Sequence, residues 1–283
     1  MKVNLSGEIL TEEQANFSIY NRGYQYGDAL FETIRVINTK IMFWEDHYFR
    51  LMASMRILRM EIPLSFSPEF LAEEIQHLIK INNLEDKALR VKINIHRKEG
   101  GLYLPEDREI SYLISLKPIS DSFYLLKKEA YEVELYKDYF QASGLLSTLK
   151  TNNRSLNVLA SIFAEENAYD NCLLINEKKN IIEAVNGNIF VVKGNTIKTP
   201  PLAEGCIQGI IRKKLIEIIN KTEEYTLDES PISPFELQKS DEMFITNVIL
   251  GIQPITKYRK KTYTKNVAKQ LLAKLNLTAR LGD

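Results

Sequence analysis

From Leu89 to His96 apolar and polar side chains alternate without a break: Leu89, Val91, Ile93 and Ile95 against Arg90, Lys92, Asn94 and His96. Successive side chains of a strand point to opposite faces, so the stretch reads as a half-buried strand, and Ile110 to Leu116 reads as its partner. Helices precede the pair. Asp46 is a good N-cap for one in which Tyr48, Leu51, Met52, Met55 and Leu58 recur at three- and four-residue steps. Ser67-Pro68-Glu69 supplies the cap, first-turn proline and first-turn acid of a second, with Leu71, Ile75, Leu78 and Ile79 on one face and His77 partly buried. Strands and helices therefore share the segment before residue 117.

Lys117-Pro118-Ile119-Ser120-Asp121-Ser122 breaks the pattern, which places a domain boundary between 1–118 and 119–283. In the second part Tyr131–Tyr136 alternates as a strand, and a helix from about Ser155 to Ala168 carries Leu156, Leu159, Ala160, Ile162 and Phe163 on a broad apolar face. Cys172–Ile175 and Ile189–Val192 are strands, and Gly194-Asn195 turns the chain into Thr196–Thr199. The tail to about Leu277 reads as an amphipathic helix packed outside the domain. With 283 residues and 45% apolar side chains, two domains of α+β character can each bury a core.

Lys+Arg and Asp+Glu both number 37, so no net charge marks a nucleic-acid or anionic-membrane surface, and a small molecule is the expected partner. No segment has the apolar length of a signal peptide or a membrane span, which predicts a cytoplasmic protein. Cys172 and Cys206 lack CxxC or Cys/His spacing and read as reduced packing residues, without disulfide or zinc.

The chemistry centres on Lys150 and Glu183. A lysine amine becomes a nucleophile toward an aldehyde when burial or nearby positive charge lowers its pKa, although an isolated lysine is ordinarily a solvated charge, and Glu183 could be a strand-end carboxylate in water. Their neighbours carry more information. Lys150-x-x-Asn153 at the mouth of a helix, followed by Glu183-x-x-x-x-Asn188-Ile189-Phe190 on a later strand, resembles the class IV aminotransferase family, the fold type IV pyridoxal phosphate enzymes. The resemblance implies two α/β-type domains with the active site in the cleft between them, pyridoxal 5′-phosphate as cofactor, and a homodimer. It implies a Schiff base on Lys150, Glu183 at the pyridine nitrogen, and Asn188 close to the cofactor.

Four further segments match in order. Arg22-Gly23-Tyr24-Gln25-Tyr26-Gly27-Asp28-Ala29-Leu30-Phe31-Glu32 is similar to the family's opening signature, which makes Tyr26, Phe31 and Arg35 substrate-pocket candidates. Taken bare, its glycines mark a tight turn and Arg35 a charge at a strand edge. His47-x-x-Arg50-Leu51 assigns Arg50 to the cofactor phosphate, with His47 packing or orienting; without the resemblance Arg50 reads as a helix-surface charge. Gly205-Cys206-Ile207-Gln208-Gly209-Ile210-Ile211-Arg212 looks like the phosphate cup, where glycine before a helix lets the backbone approach an anion; this places Gly209 in the cofactor-binding set with Ile210 and Ile211 as the N–H donors. Asp241-Glu242-Met243-Phe244-Ile245-Thr246-Asn247 resembles the last signature and adds Thr246 and Asn247 to the cofactor-binding set. The loop Arg97–Pro105, with its paired glycines, is either a plain hairpin or a mobile cover over a site, and the resemblance, since family members place substrate-selecting residues here, makes Arg97 and Tyr103 candidates.

Lys150-x-x-Asn153-Arg154, Thr246-Asn247 and the Arg97–Tyr103 loop are similar to the 4-amino-4-deoxychorismate lyases, so the expected reaction is elimination giving 4-aminobenzoate and pyruvate. The alternative is an aminotransferase acting on branched-chain amino acids with 2-oxoglutarate. The D-amino-acid enzymes' Arg-x-His trap, and their tyrosine at the position of Phe31, are missing. A non-catalytic pyridoxal-phosphate-binding scaffold is the reading from a different class.

Overall fold

A computed structural model of the chain describes residues 1–127 and 129–281. Contacts divide it into two compact units, Met1–Ser122 with Lys150–Asn153, and Phe123–Leu149 with the chain from Arg154 onward. The first unit holds β1 (Lys2–Leu5), β2 (Glu8–Thr11), α1 (Arg22–Tyr26), β3 (Ala29–Ile37), β4 (Lys40–Ile41), α2 (Trp44–Ile57), α3 (Pro68–Ile81), β5 (Ala88–Arg97) and β6 (Ile110–Ile119). Its six strands form one sheet in the order β2-β1-β6-β5-β3-β4, antiparallel throughout.

The alternation that opened the sequence reading decides which face is buried. Leu89, Val91, Ile93 and Ile95 are completely buried, as are Leu71, Ile75, Leu78 and Ile79 of α3. Ser67 caps α3 by accepting from the Phe70 N–H at 3.1 Å. Two local expectations fail. The N-cap of α2 is Phe43, at φ 53° and without a side-chain bond, so Asp46 lies inside the first turn, where its charge still complements the helix dipole. His77 is exposed.

Pro118 does not end β6 either, which pairs with β5 as far as Ile119. On its other side β6 meets β1 only at Leu113 and Ile114, so a missing N–H at Pro118 interrupts no second ladder. The first unit accordingly runs on to Ser122.

The second unit holds β7 (Glu132–Leu135), α4 (Ser155–Glu166), β8 (Asn171–Ile175), β9 (Ile181–Ala184), β10 (Gly187–Lys193), β11 (Thr196–Thr199), α5 (Ile210–Asn220), β12 (Thr226–Glu229), α6 (Pro234–Lys239), β13 (Glu242–Asn247), β14 (Gly251–Ile255), β15 (Lys257–Tyr258), β16 (Lys261–Thr262) and α7 (Asn266–Leu281). The strands run β12-β11-β10-β9-β8-β7-β15-β16, and β13 branches from β10 to carry β14. The central strands are buried on both faces, with Phe190 stacked on Phe244 at 5.2 Å between ring centroids. On α4 only Ala160 and Ala164 are buried, and Leu159 and Ile162 stay exposed, so its apolar face is broader than this unit covers.

Helix α7 is fastened by a residue outside it. The Glu242 carboxylate accepts the N–H groups of Asn266 (2.6 Å), Val267 (3.0 Å) and Ala268 (3.2 Å), together with the Thr264 hydroxyl (2.8 Å). These are donors that a helix start leaves without internal partners. Glu242→Ala should therefore destabilise the protein by about 1–3 kcal/mol, the cost of orphaning buried donors. A urea midpoint unchanged from wild type would contradict this.

Candidate active site

Lys150 belongs, by its contacts, to the first unit rather than to the second part of the chain where the boundary at 118 put it. The reason is backbone pairing. The Phe31 N–H donates to the Lys150 carbonyl at 2.9 Å, the Asn152 N–H donates to the Ala29 carbonyl at 3.0 Å, and Leu30 bridges Thr151 in antiparallel fashion. The segment is thus laid along the start of β3. Lys150 Nζ lies 4.1 Å from the centroid of the Phe31 ring. Lys92 Nζ lies 4.9 Å from the same ring, and its own burial, helped by the Arg90 charge, pulls its ammonium below the usual lysine range.

Two sequence segments also meet at Gly27. It sits at φ 65°, and a Cβ there would overlap Asn153 Oδ1, so glycine is needed both for the backbone and for the approach of Asn153. Asn153 Nδ2 in turn donates to the Gly27 carbonyl at 3.4 Å.

The next residue of β3 points to the other face. Glu32, 2% exposed, accepts from His47 Nδ1 at 2.7 Å, Arg50 Nε at 2.8 Å and Arg50 Nη2 at 2.6 Å. Burial alone would raise the Glu32 carboxyl, but the Arg50 charge and the bonds from His47 and Arg50 outweigh it and hold it at about 2. His47 is pulled below its ordinary value by burial and by the Arg50 and Lys150 charges, against the opposing pull of Glu32. A neutral His47 whose Nδ1–H donates a hydrogen bond to Glu32 keeps Nε2 as an acceptor, and Nε2 is buried with no hydrogen-bond partner among the described residues. Arg50 thus emerges from α2 already braced by Glu32.

Of the candidate substrate residues, Tyr26 and Tyr103 come together, with ring centroids 5.7 Å apart. Arg35 is buried and donates to the Asp121 carbonyl. Arg97 is held on all sides within the first unit. Its Nε and Nη2 bind Asp28 at 2.9 and 3.2 Å, and Nη2 and Nη1 donate to the Leu58 and Arg59 carbonyls at 2.8 and 3.1 Å. A guanidinium so engaged is part of the frame. Asp28 also takes Arg22 Nε at 3.0 Å. Burial would raise its carboxyl, but the two arginines bring it below the ordinary value. Arg22 then reaches the Gly100 and Leu102 carbonyls at 3.0 and 2.6 Å, which ties down the loop that carries Tyr103.

In the second unit, strand register sets out a row. Asn188 of β10 lies opposite Glu183 of β9 and opposite Thr246 of β13, so the three side chains share a face of the sheet. All three are buried. Glu183 Oε2 accepts the Ile207 N–H at 2.9 Å, and Asn188 Nδ2 donates to the Ile207 carbonyl at 2.8 Å. Arg154 lies within electrostatic reach of Glu183; its burial lowers the guanidinium and the Glu183 charge opposes that. Thr246 Oγ1 is buried with no hydrogen-bond partner among the described residues.

Gly209 caps α5 without a side-chain bond, which leaves the first-turn N–H groups of Ile210 and Ile211 outside the helical ladder. Asn247 builds a turn. Its Oδ1 accepts from the Ile249 and Leu250 N–H groups at 3.0 and 2.9 Å, and its Nδ2 donates to the Asn186 carbonyl at 3.0 Å.

Residues 29–258 match the profile described as amino-transferase class IV. The chain belongs to that family. A Methanocaldococcus jannaschii protein named for branched-chain-amino-acid aminotransferase activity is 29% identical over 255 residues, 90% of this chain and 87% of that protein. The D-alanine aminotransferase of Bacillus licheniformis is 27% identical over 266 residues, 90% of this chain and 88% of that one. The fold is that of the branched-chain aminotransferase of Thermoproteus uzoniensis, whose structure with norvaline matches at TM-score 0.87 and 24% identity, covering 98% of this chain and 94% of the other.

Family membership gives the site residues their setting, and several were not singled out from sequence. Glu32 and Asp28 stand inside the quoted opening signature, but which side chains they bind is invisible there. The Ile207 N–H carries no side-chain signal at all. Among the described residues no helix is long and apolar enough to cross a membrane, and no group of three or more His, Cys, Asp or Glu is placed to hold a metal ion. Cys172 and Cys206 are free and buried, and burial pushes their thiols up to about 11 and about 12.

Proposed function

We propose that this protein is a pyridoxal-phosphate-dependent aminotransferase that moves the amino group of a branched-chain amino acid to 2-oxoglutarate. Relatedness over 90% of the chain to proteins named as aminotransferases carries the choice of reaction. The features behind the lyase expectation do not oppose it, because each has a structural employment: Asn153 packs on Gly27, Asn247 builds the β13–β14 turn, and Arg97 is bound to Asp28. The lyase reading stands second.

The side chains present fit the cofactor. Thr246 Oγ1 is a buried hydroxyl awaiting a partner, the start of α5 offers unblocked N–H groups to a phosphate, and Glu183 is a buried carboxylate held by a main-chain donor. Pyridoxal phosphate, when bound, supplies an aldehyde that captures amines and a ring that withdraws electrons from the substrate's α-carbon. Lys150 would hold that aldehyde and afterwards carry the proton taken from the α-carbon. Glu183 would keep a proton on the ring nitrogen by its opposite charge. Arg50, braced by Glu32, and the N–H groups of Ile210 and Ile211 would bind the phosphate. Tyr26, Phe31 and Tyr103 would form the apolar wall against a branched side chain, and Arg35 is the candidate for its carboxylate.

The same reading includes a homodimer, supported by the exposed apolar side chains Leu145, Leu146, Val158, Leu159 and Ile162 on and before α4. Protein incubated with pyridoxal phosphate, L-leucine and 2-oxoglutarate is expected to make glutamate at a rate proportional to enzyme. Release of pyruvate and 4-aminobenzoate from aminodeoxychorismate with no oxo acid present, and no glutamate from any amino acid, would replace the aminotransferase with the lyase.

A further inference from the structure

Glu183 is not oriented by its own strand alone. The residue that donates to its carboxylate, Ile207, lies in the irregular segment before α5 and is gripped on both sides: its N–H goes to Glu183 Oε2 at 2.9 Å, and its carbonyl takes Asn188 Nδ2 at 2.8 Å and the Gly209 N–H at 2.9 Å. Asn188 stands opposite Glu183 in the β9–β10 register. The three residues therefore close a ring, Glu183 to Ile207 to Asn188 and back across the sheet.

The remaining end of the Asn188 amide is accounted for as well. A Cβ on Gly209 would collide with Asn188 Oδ1, so the amide sits where only glycine admits it. The far end of the segment is fixed independently, because Glu204 takes Asn176 Nδ2 at 2.6 Å and Asn180 Nδ2 at 2.8 Å, and Asn176 Nδ2 also donates to the Glu204 carbonyl at 3.1 Å. Between these two anchorages Ile207 has little freedom to turn its N–H away. A neutral amide at position 188 serves this purpose and an acid does not: Nδ2 is a donor, whereas a carboxylate would set negative charge against the Ile207 carbonyl.

We propose that Asn188 is a positioning residue. It holds the Ile207 carbonyl so that the Ile207 N–H fixes the Glu183 carboxylate in the place where that carboxylate governs protonation of the cofactor's ring nitrogen. The inference rests on the role given to Glu183 above and differs from the expectation that Asn188 itself contacts the cofactor. Asn188 acts through Ile207, and Gly209 acts by leaving room for Asn188 and by giving its own N–H to the Ile207 carbonyl.

Two measurements test it separately from the role of Glu183. In the full chain without cofactor, exchange of the Ile207 amide hydrogen should quicken by about tenfold or more in Asn188→Ala and Asn188→Asp, as expected when a local constraint is released. In the chain loaded with pyridoxal phosphate labelled with 15N in its ring, the ring-nitrogen resonance should move in Asn188→Asp and Gly209→Ala in the same direction as in Glu183→Gln, by a smaller amount. Asn188→Asp keeps the shape of the side chain, so a change confined to the larger truncation would indicate packing alone and overturn the proposal. Unchanged Ile207 exchange and an unmoved resonance in the Asn188 and Gly209 variants, with a clear shift in Glu183→Gln, would overturn it while leaving Glu183 its role. A resonance indifferent to Glu183→Gln would remove both.

Discussion

Lys150→Ala is expected to lower turnover by at least about 10⁴, because one substitution removes both the amine that would anchor the cofactor and the proton carrier at the α-carbon, and a proton carrier by itself is typically worth 10²–10⁴. The fold should tolerate the change. What ties this segment to β3 is main chain: the Lys150 carbonyl accepts from the Phe31 N–H, and the Asn152 N–H donates to Ala29. The side chain is only half-buried and its contacts include the Phe31 ring, so the loss of stability should stay within about 1 kcal/mol, as for a substitution that opens no fully buried gap. Wild type incubated with pyridoxal phosphate and reduced with borohydride should retain the cofactor covalently, and the variant should not. Activity within tenfold of wild type, or borohydride-fixed cofactor in the variant, would remove Lys150 from its assigned place.

The largest effect on stability is expected at Glu32. Glu32→Ala leaves the Arg50 guanidinium and the His47 imidazole inside the first unit without their shared acceptor, and breaking a buried pair from one side costs about 3–5 kcal/mol. The pH dependence has a definite sign. The Glu32 carboxyl is depressed from 4.5 to about 2, so its contribution is present above the unfolded value and is lost as pH falls toward the folded one. The size of that depression corresponds to about 3 kcal/mol at neutral pH, to order of magnitude. Guanidinium unfolding followed at several pH values should show a gap between wild type and Glu32→Gln that is full at pH 7 and closes between roughly pH 5 and pH 2. A gap that does not change with pH would mean that the carboxylate charge contributes nothing and that packing alone is lost.

The features legible in the sequence were those whose cause lies within a few residues. The strand alternation at Leu89–Ile95, the Ser67-Pro68 start of α3 and the Gly194-Asn195 turn follow from side-chain periodicity, helix capping and backbone preference, all of which act locally. The cap of α2 was misplaced because Phe43, a residue without a capping side chain, adopts the left-handed conformation that begins the helix. Lys150 and Glu183 could be picked out by their neighbours, and the family they suggested matches residues 29–258.

What each charged group does was decided by the tertiary structure. Glu32 meets Arg50 across 18 residues and Asp28 meets Arg97 across 69, while Glu183 meets the Ile207 N–H across 24. Strand register and the packing of α2 on the sheet create these pairings, and no local pattern records them. For the same reason Arg97 looked available in the sequence and is committed in the fold. A chain announces where a charge stands, but its partner, and with it its protonation and its work, is chosen by whatever the fold brings within about 3 Å.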